Sequence, residues 1–276
     1  MGMSKFLSRG VPAAATYTDS MLRTMGRSVA VILGTTVVAM SGSVAISPAT
    51  GSASSSVDSR LAVASVQPAA GQVVGVAHPV TVRFAAPVAD RGAAQRSITF
   101  DSPATPEGEF AWLSDSTVEF TPTGFWPAHS TISVSAGGAA PMSFQTGAAV
   151  LGVADLDAHT FTVSVDDEVL REMPASMGKP KFPTPQGTFR VLGKESVVVM
   201  DSRTIGIPLD DEEGYKLTVN DAVRITWGGV YVHSAPRSTG SQGYANVSHG
   251  CINLSPDNAA WYFDMVSVGD PVIVQA

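Results

Sequence analysis

One cysteine, Cys251, stands in a chain of 276 residues. No internal disulfide can form, so apolar packing and backbone hydrogen bonds must hold the fold, and the thiol is left intermolecular, inert or reactive. Charge is scarce too. Charged side chains make up 15% of the residues and sum to −7, a balance that offers nucleic acid no basic surface. No apolar run reaches the roughly twenty residues that span a bilayer. Apolar residues rarely recur at helical spacing, and no acidic or histidine pattern has the spacing of metal ligands, so neither a metal nor another cofactor is expected. What the chain has in quantity is glycine (26) and proline (18), between short runs alternating at a period of two, and the fold class expected is mainly β with many turns.

In chain order, Arg23 and Arg27 precede the apolar stretch Val29–Met40, and the small residues Ser43-Val44-Ala45 follow. Residues 1–45 therefore read as a secretory signal, or as a membrane anchor if uncleaved, and place the remainder in the cell envelope outside the cytoplasmic membrane. Residues 46–60, rich in Ser, Ala and Gly, read as a flexible linker. Over 61–147 the runs Val80–Phe84, Ser97–Phe100, Thr117–Phe120 and Thr131–Val134 predict a small antiparallel sandwich of immunoglobulin type, with Trp112 and Trp126 in its core. Nothing in it points to chemistry, and a spacer dispensable for catalysis is the expectation.

Residues 148–276 predict a second β-rich domain with one or two short helices. Phe161–Val165, an Asp166-Asp167 turn and Val169–Met173 read as a hairpin, followed by strands near 187–192, 197–200, 223–227 and 230–234. Ser255-Pro256 marks a helix start, with Ala259, Tyr262, Phe263 and Val266 on one face, and 270–275 reads as a closing strand. The chemistry concentrates between Tyr231 and Asn253. His233 ends a strand, fourteen residues follow, and then come Ser248-His249-Gly250-Cys251-Ile252-Asn253. A thiol acts as an acyl acceptor when a base takes its proton and donors meet the oxyanion. His233 is the first candidate for the base and His249 its rival; Gly250 frees the backbone to turn amides inward. His78, His129 and His159 read as ordinary surface or turn histidines, and Asp210–Glu213 as a solvated loop.

The pattern from His233 to Asn253 resembles the signature of L,D-transpeptidase (YkuD-type) catalytic domains. Thr184-Pro185-Gln186-Gly187-Thr188-Phe189 is similar to that family's strand entry. Gly75–Val80, Pro87-Val88 and Phe125-Trp126-Pro127 resemble the immunoglobulin-like domain that precedes it in actinobacterial members. The resemblance implies transfer of a peptidoglycan stem peptide through a Cys251 thioester, giving 3→3 cross-links in cell-wall biogenesis. It implies that the Ser234 carbonyl orients His233, that His249, Gly250 and Ser248 shape the site, that Asn253 braces it, and that Met200 and Tyr215 line the pocket. Stem peptides as partners, inactivation by carbapenems and a monomeric state follow from it as expectations. Two alternatives stand beside this reading: an L,D-carboxypeptidase, in which water resolves the thioester, and a non-catalytic wall-binding protein.

Overall fold

The computed structural model describes residues 61–276, so the expected signal and the expected linker lie outside the described residues. Eight strands come first: β1 (Val63–Gln67), β2 (Val73–Val74), β3 (Val80–Phe84), β4 (Thr99–Asp101), β5 (Gly108–Trp112), β6 (Thr117–Pro122), β7 (Thr131–Ser135) and β8 (Met142–Thr146). They form two four-stranded sheets, ordered β1-β3-β6-β5 and β2-β8-β7-β4. The alternation explains the packing. Val80, Val82 and Phe84 of β3, Val118 and Phe120 of β6, Ile132 and Val134 of β7 and Phe144 of β8 all turn inward and form one core. Trp126 sits at its centre, 1% exposed, edge-on to Phe144 with centroids 6.1 Å apart. Trp112 departs from expectation: it is half-buried at the rim, stacked on Phe84 and covered by the Arg91 guanidinium. The sandwich is also not wholly antiparallel, because β2 pairs parallel with β8. A helix that alternation could not reveal, α1 (Arg91–Arg96), begins where the Asp90 carboxylate accepts from the Ala93 amide.

Nine strands follow: β9 (Val150–Asp155), β10 (Thr160–Val165), β11 (Glu168–Pro174), β12 (Gly187–Arg190), β13 (Gly193–Asp201), β14 (Lys216–Arg224), β15 (Tyr231–Ser234), β16 (Ile252–Leu254) and β17 (Pro271–Gln275). One sheet has the order β11-β10-β9-β17-β12 and the other β13-β14-β15-β16. Val165 faces Glu168 across the hairpin, so Asp166 and Asp167 form a two-residue turn with φ of 49° and 68°. The last strand is inserted between β9 and β12, parallel to the first and antiparallel to the second. The helix α2 (Pro256–Met265) starts at the Ser255 cap, whose hydroxyl accepts from the Asn258 amide, and buries Ala259 and Tyr262. It lies against β14 and β15, so the strand carrying His233 is backed by a helix. Phe161, Met173, Met177, Ile252, Leu254, Tyr262 and Val272 fill the core, each fully buried.

The described residues form one compact unit, and the two sandwiches meet over a specific junction. The Gly75 amide donates to the Val268 carbonyl (3.0 Å) and the Ala77 amide to that of Gly269 (2.8 Å). A Cβ on Gly75 would stand 2.1 Å from the Asp270 nitrogen, so only glycine lets the chains approach this closely. Asp270 is 1% exposed, with Oδ2 accepting from the Ser267 amide (2.7 Å) and Oδ1 unpartnered. Burial pushes its carboxyl up to about 7, against the pull of the Ser267 and Val76 amides and of Lys194. His78 is not a surface histidine. It is half-buried at this junction, its Nδ1–H donates to the Pro79 carbonyl (2.7 Å), and burial lowers its pKa. His129 and His159 do occupy left-handed turns, with φ of 52° and 56°, where they meet Asp166 and Asn246.

Candidate active site

Strand pairing brings the motif together. β15 and β16 run parallel, with His233 opposite Asn253 and Val232 opposite Ile252. Because alternate residues share a face, Cys251 and Asn253 emerge on the same side as Tyr231 and His233. Cys251 and His233 accordingly line one open pocket of about 350 Å³, together with Met200, Tyr215, Ser234, Ser248, His249 and Asn253. His233, Ser234, Ser248, His249, Cys251 and Asn253 of the motif therefore meet Met200 and Tyr215 in one place.

His233 is 7% exposed, and its Nδ1 lies 2.9 Å from the Ser234 carbonyl oxygen. A carbonyl can only accept, so Nδ1 carries the proton and Nε2 is the bare, basic nitrogen. Burial lowers the His233 pKa and pushes the Cys251 thiol up to about 12. The resting pair is therefore neutral thiol and neutral imidazole. The thiol's one hydrogen-bond partner among the described residues is not the imidazole but the Gly229 carbonyl, 3.7 Å from Sγ. For proton transfer the S–H must leave the Gly229 carbonyl and meet Nε2.

The turn before the thiol is built around Gly250, whose φ of 117° is closed to residues with a Cβ. The Ser248 hydroxyl donates to the Cys251 carbonyl (2.6 Å) and accepts from the Gly250 amide (3.1 Å). The Gly250 N–H is thereby committed, and the amides of His249 and Cys251 are those without a partner among the described residues. Behind the turn, Thr184 donates its hydroxyl proton to the Gly250 carbonyl and accepts from the Gly178 amide, both at 2.9 Å. Thr184 is 2% exposed. Its motif was legible in the sequence as a strand entry, but its role as a brace for the cysteine turn was not. Asn253 donates from Nδ2 to the Ser238 hydroxyl (3.2 Å), and its backbone pairs with Ser176.

The acidic run is not simply solvated. Glu213 folds in from the loop between β13 and β14 and accepts from His249 Nε2 at 3.0 Å and from Lys179, with Lys181 3.6 Å away. Lys179 holds the Glu213 carboxyl below its ordinary value, so it is ionised and acceptor-only, and the His249 Nε2 is a donor. The ring is packed between the tilted rings of Phe182 (4.7 Å) and Tyr215 (4.9 Å), and its own pKa is lowered by burial first and by Lys179 next. His249 is thereby held as a wall of the site, its Nε2 committed to Glu213, while His233 keeps Nε2 free beside the Ser234-bound Nδ1. Lys179, Phe182 and Glu213 gave no sequence signal beyond an acidic run and two lysines near an aromatic. Among the described residues no group of three or more His, Cys, Asp or Glu side chains could hold a metal ion, and no helix is long and apolar enough to cross a membrane.

Comparison with known proteins agrees with this geometry. Residues 150–274 match the family model of the L,D-transpeptidase catalytic domain, and residues 36–138 that of a bacterial Ig domain. The chain is 60% identical over 214 residues to L,D-transpeptidase 1 of Mycobacterium tuberculosis, covering 77% of this chain and 84% of that one. Among solved structures, an L,D-transpeptidase from Mycobacterium smegmatis aligns with a TM-score of 0.75 at 75% identity, over 78% of this chain and 99% of that one. The transpeptidase LdtMt1 in complex with imipenem aligns with a TM-score of 0.72 at 60% identity, over 78% and 99%. Identity at this level across most of both chains, with the thiol, the imidazole and the glycine turn in one pocket, settles descent: this chain belongs to the L,D-transpeptidase family.

Proposed function

We propose that the chain cross-links peptidoglycan by acyl transfer between stem peptides, with Cys251 as nucleophile and His233 as base. The observation that carries this is the Nδ1–H bond from His233 to the Ser234 carbonyl, 2.9 Å, which frees Nε2 in the pocket that Cys251 lines. In the first step Nε2 takes the thiol proton while sulfur attacks the carbonyl of the third residue of a tetrapeptide stem. The sulfur–carbon bond forms, the oxyanion meets the His249 and Cys251 amides, and the bond to the terminal D-alanine breaks as the imidazolium returns its proton to the leaving amine. In the second step a side-chain amine of another stem attacks the thioester. The new amide is a 3→3 link, the carbon–sulfur bond breaks, and the proton passes through His233 back to sulfur.

A neutral resting pair fits this sequence, because the proton moves only when substrate is in place. Family members bind carbapenems, as the imipenem complex of LdtMt1 records, and the same thiol is the atom a carbapenem would acylate here. The envelope is the proposed location, since that is where peptidoglycan stems are found and where residues 1–45 would deliver the chain. The test is muropeptide analysis after incubation with tetrapeptide stems. Cross-linked dimers and free D-alanine support the proposal. Tripeptides and D-alanine without dimers make water the acceptor and the protein an L,D-carboxypeptidase, and unchanged stems leave a wall-binding protein.

A further inference from the structure

The pocket beside Cys251 is walled by Met200, Leu217, Val219, Val247 and other neutral side chains, and Arg237 is the one lining residue with a permanent charge. Its guanidinium makes no hydrogen bond or ion pair among the described residues, and the residue is exposed. The nearby cations are different. Lys179 and Lys181 both lie on Glu213, so each has an intramolecular partner, as Arg237 does not among the described residues.

The ground under Arg237 is firm. It sits in the 3₁₀ turn Pro236–Ser238, directly after the strand that carries His233. Gln242, 5% exposed, donates from Nε2 to the Ala235 carbonyl and to the Ser238 hydroxyl, both at 3.3 Å. Asn253 donates to the same hydroxyl at 3.2 Å, and Ser238 in turn donates to the Ala235 carbonyl at 3.2 Å. Two buried amide side chains thus fix the turn to both strands of the catalytic pair, while the residue between its ends is left without an intramolecular partner. A guanidinium matches a carboxylate with two parallel N–H donors, and it does so best on a backbone already ordered before the ligand arrives.

We infer that Arg237 is a specificity residue that binds a carboxylate of the stem-peptide substrate at the mouth of the Cys251 pocket. This rests on the transpeptidase reading above. Two carboxylates come near the thiol in that reaction: the terminal carboxylate of the donor's departing D-alanine, and the carboxylate carried beside the acceptor amine of a diamino acid. The chemistry recognised is the same in both.

The experiment uses the full chain, Arg237→Met and Arg237→Lys, with donor tetrapeptides ending in a free carboxylate or its amide, and with acceptors whose carboxylate is free or amidated. Thioester formation on Cys251 is followed by mass in single turnover, and cross-linking by steady-state kcat and KM. The wild-type chain is expected to prefer the free acid over the amide by about tenfold to a hundredfold in kcat/KM, the worth of a charge-assisted hydrogen bond. Arg237→Met loses that preference yet keeps the wild-type rate on the fully amidated pair, and Arg237→Lys retains part of it. If the preference lies in thioester formation, the donor's carboxylate is the ligand; if it lies in the KM for acceptor with acylation unchanged, the acceptor's is. An unaltered acid-to-amide ratio in Arg237→Met overturns the inference. So does an equal loss on acid and amide, which would make Arg237 a structural residue. A wild-type chain that forms no thioester with any donor overturns the transpeptidase reading, and the inference with it.

Discussion

Asp270 offers a sharp test of how the two sandwiches are joined. Its carboxyl is 1% exposed beneath Gly75, one oxygen has no partner, and burial pushes its pKa up to about 7 from 3.8. A raised carboxyl pKa means that the folded chain binds the proton more tightly than the unfolded chain does. Its contribution to stability is therefore complete below pH 3.8 and lost as pH rises through about 7. At 1.36 kcal/mol for each pH unit between the two values, ionisation weakens the fold by about 4 kcal/mol. Asp270→Asn removes that titration but puts an amide NH₂ where Oδ1 has no partner, at a cost of about 1–3 kcal/mol. The variant should thus be less stable than wild type near pH 4 and more stable, by about 1–3 kcal/mol, near pH 8. Urea unfolding followed by tryptophan fluorescence from pH 4 to pH 8 measures the difference. A stability difference that stays constant across that range refutes the assignment of a neutral, buried carboxyl to the junction.

Other outcomes follow from the same contacts. Gly75→Ala would set a Cβ 2.1 Å from the Asp270 nitrogen, and overpacking of this kind should cost about 1–3 kcal/mol, with faster hydrogen exchange at the Ala77 amide as the local sign. Thr184→Val strips two buried backbone groups of their partner and should lose about 2–4 kcal/mol in denaturation, with Thr184→Ser recovering most of it. Glu213→Gln leaves Lys179 unanswered and loosens the His249 packing; an increase of about two- to fivefold in donor KM with little change in kcat is expected, the scale of a part-exposed ion pair. Since burial lowers the His233 pKa from its ordinary 6.5, the acid limb of carbapenem acylation should have its midpoint below that pH.

The sequence showed most where structure is local. Val80, Val82 and Phe84 alternate because one face of β3 is core, and the strand occupies the expected residues. His233, Gly250 and Cys251 are legible as a site because one parallel strand pair, β15 with β16, brings them together. Failures begin where the signal is spread. Residues 216–222, which form most of β14, mix Lys, Thr, Asn and Asp with inward Leu217 and Val219, and the strand was expected only from Val223; it runs Lys216–Arg224. The six-residue α1 has no apolar stripe to show a helical period. The junction joins glycine backbones and side chains such as Asp270 from segments far apart in the chain, so nothing local marks it or shows that the expected spacer is hydrogen-bonded to the catalytic half. Glu213 is indistinguishable from its solvated neighbours until the fold places Lys179 and His249 beside it.

The central claim is that a Cys251 thioester carries the acyl group. Its most direct measurement is the mass of the acid-quenched chain after brief exposure to a tetrapeptide stem, followed by peptide mapping. The account predicts an adduct equal to the stem minus D-alanine, on Cys251 alone, absent in Cys251→Ala and formed about 10² to 10⁴ times more slowly in His233→Ala. An adduct on another residue, or cross-linking by Cys251→Ala at the wild-type rate, would contradict it.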